Sequence, residues 1–297
     1  MATDISVLYS QRYRNALDLL SQQQDSRFEA TVQKETGVGK THWYDAIGQT
    51  SAQQIVGRYQ DTPNNDYDHQ RTRIDLAGYN TGKMLDSIDA LETLHDPRSK
   101  YVMAADMAMK RKKDDVIIAA FFASSVRGET GGTTTAFPSA NQIAVDSWAY
   151  GAGSGNAGLT VSKLISARLA LKAAEVDLDV EEPYIAVTAK QEGNLLATTE
   201  VTSGDYNSQL TLVDGKIDRF MGFRFIHSER LPLNASSYRR CPVWVRSGMF
   251  LAVGKDIMSQ VAQRADKNFN WQVYHEMYLG AARVEDAKVI EVICSEA

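Results

Sequence analysis

Residues Ser203–Pro232, SGDYNSQLTLVDGKIDRFMGFRFIHSERLP, decide the fold, because their order of turns and strands builds a presented surface and not a pocket. Leu210, Leu212 and Val213 form a short apolar strand, and Asp214-Gly215 is a turn dipeptide. After Gly222, Phe223 and Phe225 alternate around Arg224, the period of a half-buried strand. Pro232, which has no amide hydrogen for a ladder, stops the run.

This succession of an Asp-Tyr step, a strand, an Asp-Gly-Lys-Ile turn, a Gly-Phe strand and a Ser-Glu-Arg-Leu-Pro exit resembles the axial domain of tailed-phage major capsid proteins with the Hong Kong 97-like fold. The resemblance runs in order of elements from Gln53 to the C-terminus, with diffuse motifs. It implies an α+β chain in five parts. Residues 1–47 are an N-terminal arm, 48–90 an extended hairpin loop, and 91–180 a spine helix with the first part of a peripheral domain. Residues 181–250 are the axial domain, and 251–297 return to the peripheral domain.

Composition agrees with a packed protein: 297 residues, 43% hydrophobic and 23% charged, can bury a real core. A net charge of −5 and a pI near 5.6 argue against a protein that neutralises many phosphates. A weakly acidic wall can still enclose nucleic acid, since a strongly basic one traps the polymer it must release. Cys241 and Cys294 lack the paired spacing of a zinc ribbon or redox motif and read as buried free thiols in a reducing cytoplasm. No cationic, apolar, cleavable leader and no membrane-length apolar run is found, so the expected chain is neither secreted nor membrane-embedded.

The spacing of Ile5, Leu8, Tyr9, Tyr13, Ala16, Leu17 and Leu20 behind Thr3 or Asp4 predicts an amphipathic first helix that must bury its stripe on its own core or on a neighbour. From Gln53 to Leu76, two extended segments, IVGRY and RTRIDL, flank the turn formers Thr62 to Asp66. Such a hairpin is marginal alone and must lie on the body or reach a partner. Arg98 to Phe122 reads as a long helix with Val102, Ala105, Met109, Val116 and Ala120 on one face. Asp106 with Lys110, Lys110 with Asp114 and Arg111 with Asp115 then form charge rows on its solvent side, so Lys110 to Lys113 is a salt-bridged face and not a nucleic-acid patch.

Ser124 to Gly158 is a Gly-, Ser- and Thr-rich connection in which Ile143 and Val145 pair as a short strand. A second helix follows from Thr160, with Val161, Ile165, Leu169, Ala173 and Val176 on one face, and Pro183 to Val187 is a buried strand. Val243 to Val253 and Lys288 to Cys294 are further strands, separated by a polar, partly helical region from Lys255 to Met277.

Three motifs point toward enzymes and fail on context. Gly37-Val38-Gly39-Lys40-Thr41 ends like a phosphate-binding loop, but Lys34 stands where the first Gly belongs and no buried strand aims it. Gly153-Ser154-Gly155-Asn156-Ala157-Gly158 is a formal dinucleotide fingerprint with Asp177 and Asp179 downstream. The preceding AVDSWAYGA is too polar for a central parallel strand. His42, His69, His95, His227 and His275 share no ligand spacing. No catalytic, cofactor-binding or metal-ligating residue is therefore assigned, and no cofactor is expected.

What the resemblance implies is a structural protein, not an enzyme. It would assemble with itself into pentamers and hexamers of an icosahedral shell around double-stranded DNA, in the virion after assembly in the host bacterial cytoplasm. A separate scaffolding protein, a portal protein, a decoration protein and weak nonspecific contact with packaged DNA are the implied partners. An encapsulin-type compartment shell is the alternative in the same fold, and a dinucleotide-binding enzyme the alternative in another class. Some relatives lock subunits by an isopeptide bond from a hairpin-tip Lys to a neighbour's Asn. Here Gln60 to Gln70 holds no Lys and the nearest beyond the turn is Lys83, so the expected shell is non-covalent.

Overall fold

The computed structural model describes residues 19–37, 39–62, 64–85, 98–151, 153–198 and 217–296. The expected first helix and the Leu210–Gly215 strand and turn lie outside them. The chain forms two compact units, one of Met1–Asp25, Gly78–Arg111 and Asp256–Met277, the other of Ser26–Ala77, Lys112–Lys255 and Tyr278–Ala297.

The larger unit is built on a six-stranded mixed sheet in the order β7-β14-β11-β8-β10-β9. Its strands are β7 (Gln142–Ile143), β8 (Pro183–Val187), β9 (Arg219–Phe220), β10 (Phe223–His227), β11 (Arg239–Val245) and β14 (Val289–Cys294). The alternation predicted around Arg224 holds: Phe223 and Phe225 are buried and Arg224 is exposed. The hairpin turn of this stretch is Met221-Gly222, both at positive φ (53° and 79°), between the cross-strand partners Phe220 and Phe223. Two left-handed residues are what a two-residue hairpin needs to match the strand twist.

Two helices flank this sheet in sequence. α2 (Val161–Ala173) starts at Thr160, whose side chain accepts from the Lys163 amide. The face it buries is Leu164, Ala167 and Leu171, not the Val161–Ile165–Leu169 line expected, since Leu169 is exposed. Both sets satisfy a 3.6-residue period, and the choice falls to Lys163. Its ammonium donates to the carbonyls of Ala157 (2.7 Å), Gly158 (3.0 Å) and Ile293 (2.9 Å), which turns that side inward. α3 (Ala189–Leu196) opens with a Thr188–Gln191 capping box.

A second sheet in this unit, ordered β2-β3-β5-β6, joins β2 (Thr41–Ile47), β3 (His69–Asp75), β5 (Ser125–Arg127) and β6 (Thr133–Thr135). Thus β3 pairs with Thr41–Ile47, from Thr41↔Asp75 to Ile47↔His69, and not with Ile55–Tyr59 as the turn signal suggested. Trp43, Tyr44 and Ile47 suit a pleated surface, and Tyr44 packs on Phe250 at 5.1 Å. The long Gly- and Ser-rich connection holds the β5–β6 hairpin, which composition alone hid.

The polar region Lys255–Met277 is not partly helical. It belongs to two long neighbouring strands, β12 (Met249–Arg264) and β13 (Asn270–Arg283). In the larger unit the base of β12 pairs in parallel with β1 (Gln33–Thr36), Gln33↔Phe250 to Thr36↔Val253. In the smaller unit the outer parts lie in the order β12-β13-β4, where β4 is Ala77–Leu85. Gly280 on β13 permits a close approach, because a Cβ there would sit 2.3 Å from the Asp75 carbonyl.

α1 (Arg98–Phe122) spans the residues its spacing predicts, but its charges are not all on a solvent face. Lys113 and Asp114 are buried. Asp114 accepts from Ser26 Oγ and from the amides of Arg27 (3.0 Å) and Phe28 (3.3 Å), and Lys113 Nζ meets Glu29 at 2.9 Å. Asp115 forms a two-pronged pair with Arg230. In the smaller unit Lys110 pairs with Asp106 (3.1 Å), as expected, and with Asp25 (2.7 Å). The helix charges therefore fasten the chain that precedes β1. The core beside that chain is aromatic: Trp244 lies 5.7 Å from Phe28, 4.6 Å from Phe121 and 5.8 Å from Tyr184, ring centre to ring centre.

Candidate functional site

The β2–β3 hairpin carries a long connection, residues 48–68, whose described part holds no helix or strand. Its root is rigid. Gly48 donates to the Asp68 carbonyl at 2.6 Å, and Arg71 grips Asp45 with two hydrogen bonds of 2.6 and 2.9 Å while lying over the Trp43 ring. The Arg71 hydrogen bonds hold the Asp45 carboxyl below its usual range. Beyond the root, Ile55, Val56 and Tyr59 are 84%, 86% and 98% exposed. Two limbs are held together at Asn65, which donates to the Ser51 carbonyl at 2.6 Å. What the loop offers is apolar side chains and open backbone, the chemistry of a protein contact.

The motif residues sit in connections that are largely exposed. Gly37 and Lys40 lie in the β1–β2 connection, where Gly37 donates to the Val253 carbonyl and Lys40 accepts from the Leu76 amide. In the glycine-rich loop, Gly155 accepts from Trp148 Nε1, and a Cβ on Gly158 would lie 1.9 Å from Asn194 Nδ2. That loop has Lys163 inserted beneath it where a dinucleotide fingerprint keeps room for a pyrophosphate. Among the described residues no group of three or more His, Cys, Asp or Glu is arranged to hold a metal. His42 faces Glu35 at 3.9 Å and the Phe250 ring, His227 lies between Glu192 (3.5 Å) and Glu229 (3.3 Å), and His95 is outside the described residues.

Cys241 and Cys294 are buried free thiols, as expected. Contact with the Cys294 sulfur, with burial, holds the Cys241 thiol well above its ordinary range. Burial likewise lowers the Lys163 ammonium, opposed by the nearby Cys and Asp146 side chains. Sequence spacing missed Lys163, Lys113 and Asp114. A lysine or aspartate inside an otherwise apolar helical face was the available signal.

His275 on β13 is fully buried, with neither ring nitrogen hydrogen-bonded. Burial pushes its imidazole below the ordinary value, against the pull of the Asp106 carboxylate. The unfolded chain then takes up a proton near pH 6.5, before the folded chain does. Stability is accordingly expected to fall as pH drops through about 6.5, levelling only below the folded-state value. Urea midpoints at pH 7.5 and pH 5 measure this. His275→Leu should flatten the dependence, and an unchanged slope would assign it to other groups.

A model of the phage capsid protein family matches residues 5–296. Among solved structures, the capsid of cyanophage Pam1 matches with a TM-score of 0.74 at 15% identity, covering 100% of this chain and 99% of that one. The capsid of cyanophage P-SCSP1u matches with 0.73 at 16% identity, covering 100% and 96%. The acid-stable capsid of Helicobacter pylori bacteriophage KHP30 matches with 0.73 at 12%, covering 100% and 98%. No curated protein sequence matches. The Hong Kong 97-like fold expected from the axial-type stretch is the fold of the whole chain.

Proposed function

The chain belongs to the phage capsid protein family, and from that premise we propose that it is the major subunit of a tailed-phage head, arranged as pentamers and hexamers around double-stranded DNA. The observation that carries this is the family match over residues 5–296. Neither the compartment shell nor the dinucleotide enzyme is favoured beside it. The division into arm (1–47), extended loop (48–90), spine helix and peripheral domain (91–180), axial domain (181–250) and peripheral return (251–297) belongs to this reading. So do assembly in the host cytoplasm and the scaffolding, portal and decoration partners. The exposed connection 48–68 supports a role across neighbours, because its apolar side chains gain nothing from water and find no cover in its own hairpin.

In this reading neighbours hold by many weak contacts that add over copies. Purified phage heads examined by electron microscopy should be closed shells containing DNA. Boiling them in detergent under reducing conditions should release a dominant band near 32.9 kDa. Lys83, the nearest lysine after the connection, sits on β4 and not at the tip. A ladder of resistant multimers would overturn the non-covalent shell, and heads lacking this band would overturn the function.

A further inference from the structure

Asp286 is one carboxylate between two guanidinium groups. Its Oδ1 accepts from Arg283 Nε, and its Oδ2 meets Arg127 Nη1 at 2.9 Å. Arg283 is fully buried and fixed in place: its Nη1 donates to the carbonyls of Phe121 and Ala123, both at 2.9 Å, and its guanidinium lies 4.9 Å from the centre of the Phe137 ring. Arg127 is held at Nη1 alone. Its Nε and Nη2 are covered from water and have no hydrogen-bond partner among the described residues, and Arg283 Nη2 shares that condition. One negative charge thus answers two positive ones, and buried donors without acceptors cost stability until something accepts from them.

Arg127 also lines an open cavity of about 760 Å³, together with Asp45, His69, Arg71, Thr133 and Thr135. Asp45 brings no spare charge, because Arg71 holds it with two hydrogen bonds. Glu129 stands on the same cavity but is exposed, and its field falls on Arg71. We propose that this cavity binds a small oxyanion of the phosphate class, taken by Arg127 with the hydroxyls of Thr133 and Thr135. The Arg127 guanidinium turns into the cavity, offers the anion the two nitrogens that lack partners, and leaves Asp286 to Arg283. A planar guanidinium fork matches the paired oxygens of such an anion. Once bound, the anion joins the β5–β6 hairpin to β2 and β3 at the root of the connection 48–68. The inference goes beyond the shell reading and does not depend on it.

The test is calorimetric titration of inorganic phosphate into full-length, unassembled subunits, in chloride buffer of fixed ionic strength. Saturable binding at one site is expected. Arg127→Gln removes both the charge and the fork and should weaken that binding at least about tenfold. Glu129→Gln removes a like charge from the rim and should bind phosphate as tightly as the wild type or more tightly. Absence of saturable heat with the wild type overturns the proposal, as does undiminished binding by Arg127→Gln. Binding gained only in Glu129→Gln would show that Glu129 itself answers Arg127, which overturns it as well. Displacement of bound phosphate by a short DNA duplex would give the site to the nucleic-acid backbone and overturn the assignment to a free anion.

Discussion

Replacing Trp244 with alanine is expected to cost the larger unit about 3–5 kcal/mol, the usual range for truncating a fully buried aromatic. Trp244 is completely buried on β11, among Phe28, Phe121 and Tyr184, and its indole N–H donates to the Thr31 carbonyl at 3.0 Å. The substitution thus opens a cavity beneath three rings and leaves a carbonyl of the incoming chain without its donor. Since domains are stable by only about 5–15 kcal/mol, much of the margin goes. Urea unfolding of unassembled subunits, followed by tryptophan-independent circular dichroism, measures it. Trp244→Phe, which keeps the packing and loses the hydrogen bond, should recover most of the loss. Equal losses for the two variants would show that the Thr31 contact, not the ring packing, dominates.

Asp114→Ala is the second large effect, about 3 kcal/mol or more, because it strips the acceptor from two buried-side backbone amides and one hydroxyl at once. Those donors belong to Ser26, Arg27 and Phe28, the residues that lead into the aromatic core. The local consequence is as informative as the global one. Proteolysis of the variant should begin between residues 26 and 32, since this segment opens at a lower free energy than the sheet behind it. Asp114→Asn keeps one carbonyl oxygen and should lose less. Cleavage unchanged in site and rate would show that the segment is held by Phe28 packing and not by the carboxylate.

Much of this architecture was legible from local pattern. The alternation Phe223-Arg224-Phe225 and the apolar run Pro183–Val187 are kept, and the helix spans Arg98–Phe122 as expected, but of its expected face Val102, Ala105, Met109, Val116 and Ala120 only Met109 and Ala120 are buried, beside Met107, Ile117, Ile118 and Phe121. Periodicity failed where a polar residue was bought into the interior by distant partners. Lys163 is inside because three carbonyls, one of them 130 residues away, surround its ammonium. Lys255–Met277 failed for another reason. The outer part of β12 is exposed and has few apolar residues, and in β13 the alternating buried positions Val273, His275 and Met277 include a histidine, which breaks the apolar pattern.

The surface loop shows the same division. Turn formers Thr62 to Asp66 announced a chain reversal, but the strand opposite β3 was decided by which segment could place Tyr44 against Phe250. What this sequence by itself determined is the kind and order of elements, because hydrophobic period and turn chemistry are local properties. Which helix face turns inward, which strands pair and which edge stays open were decided only by the tertiary structure. Those choices depend on hydrogen-bond partners and packing neighbours far along the chain, whose free energies no window of sequence contains.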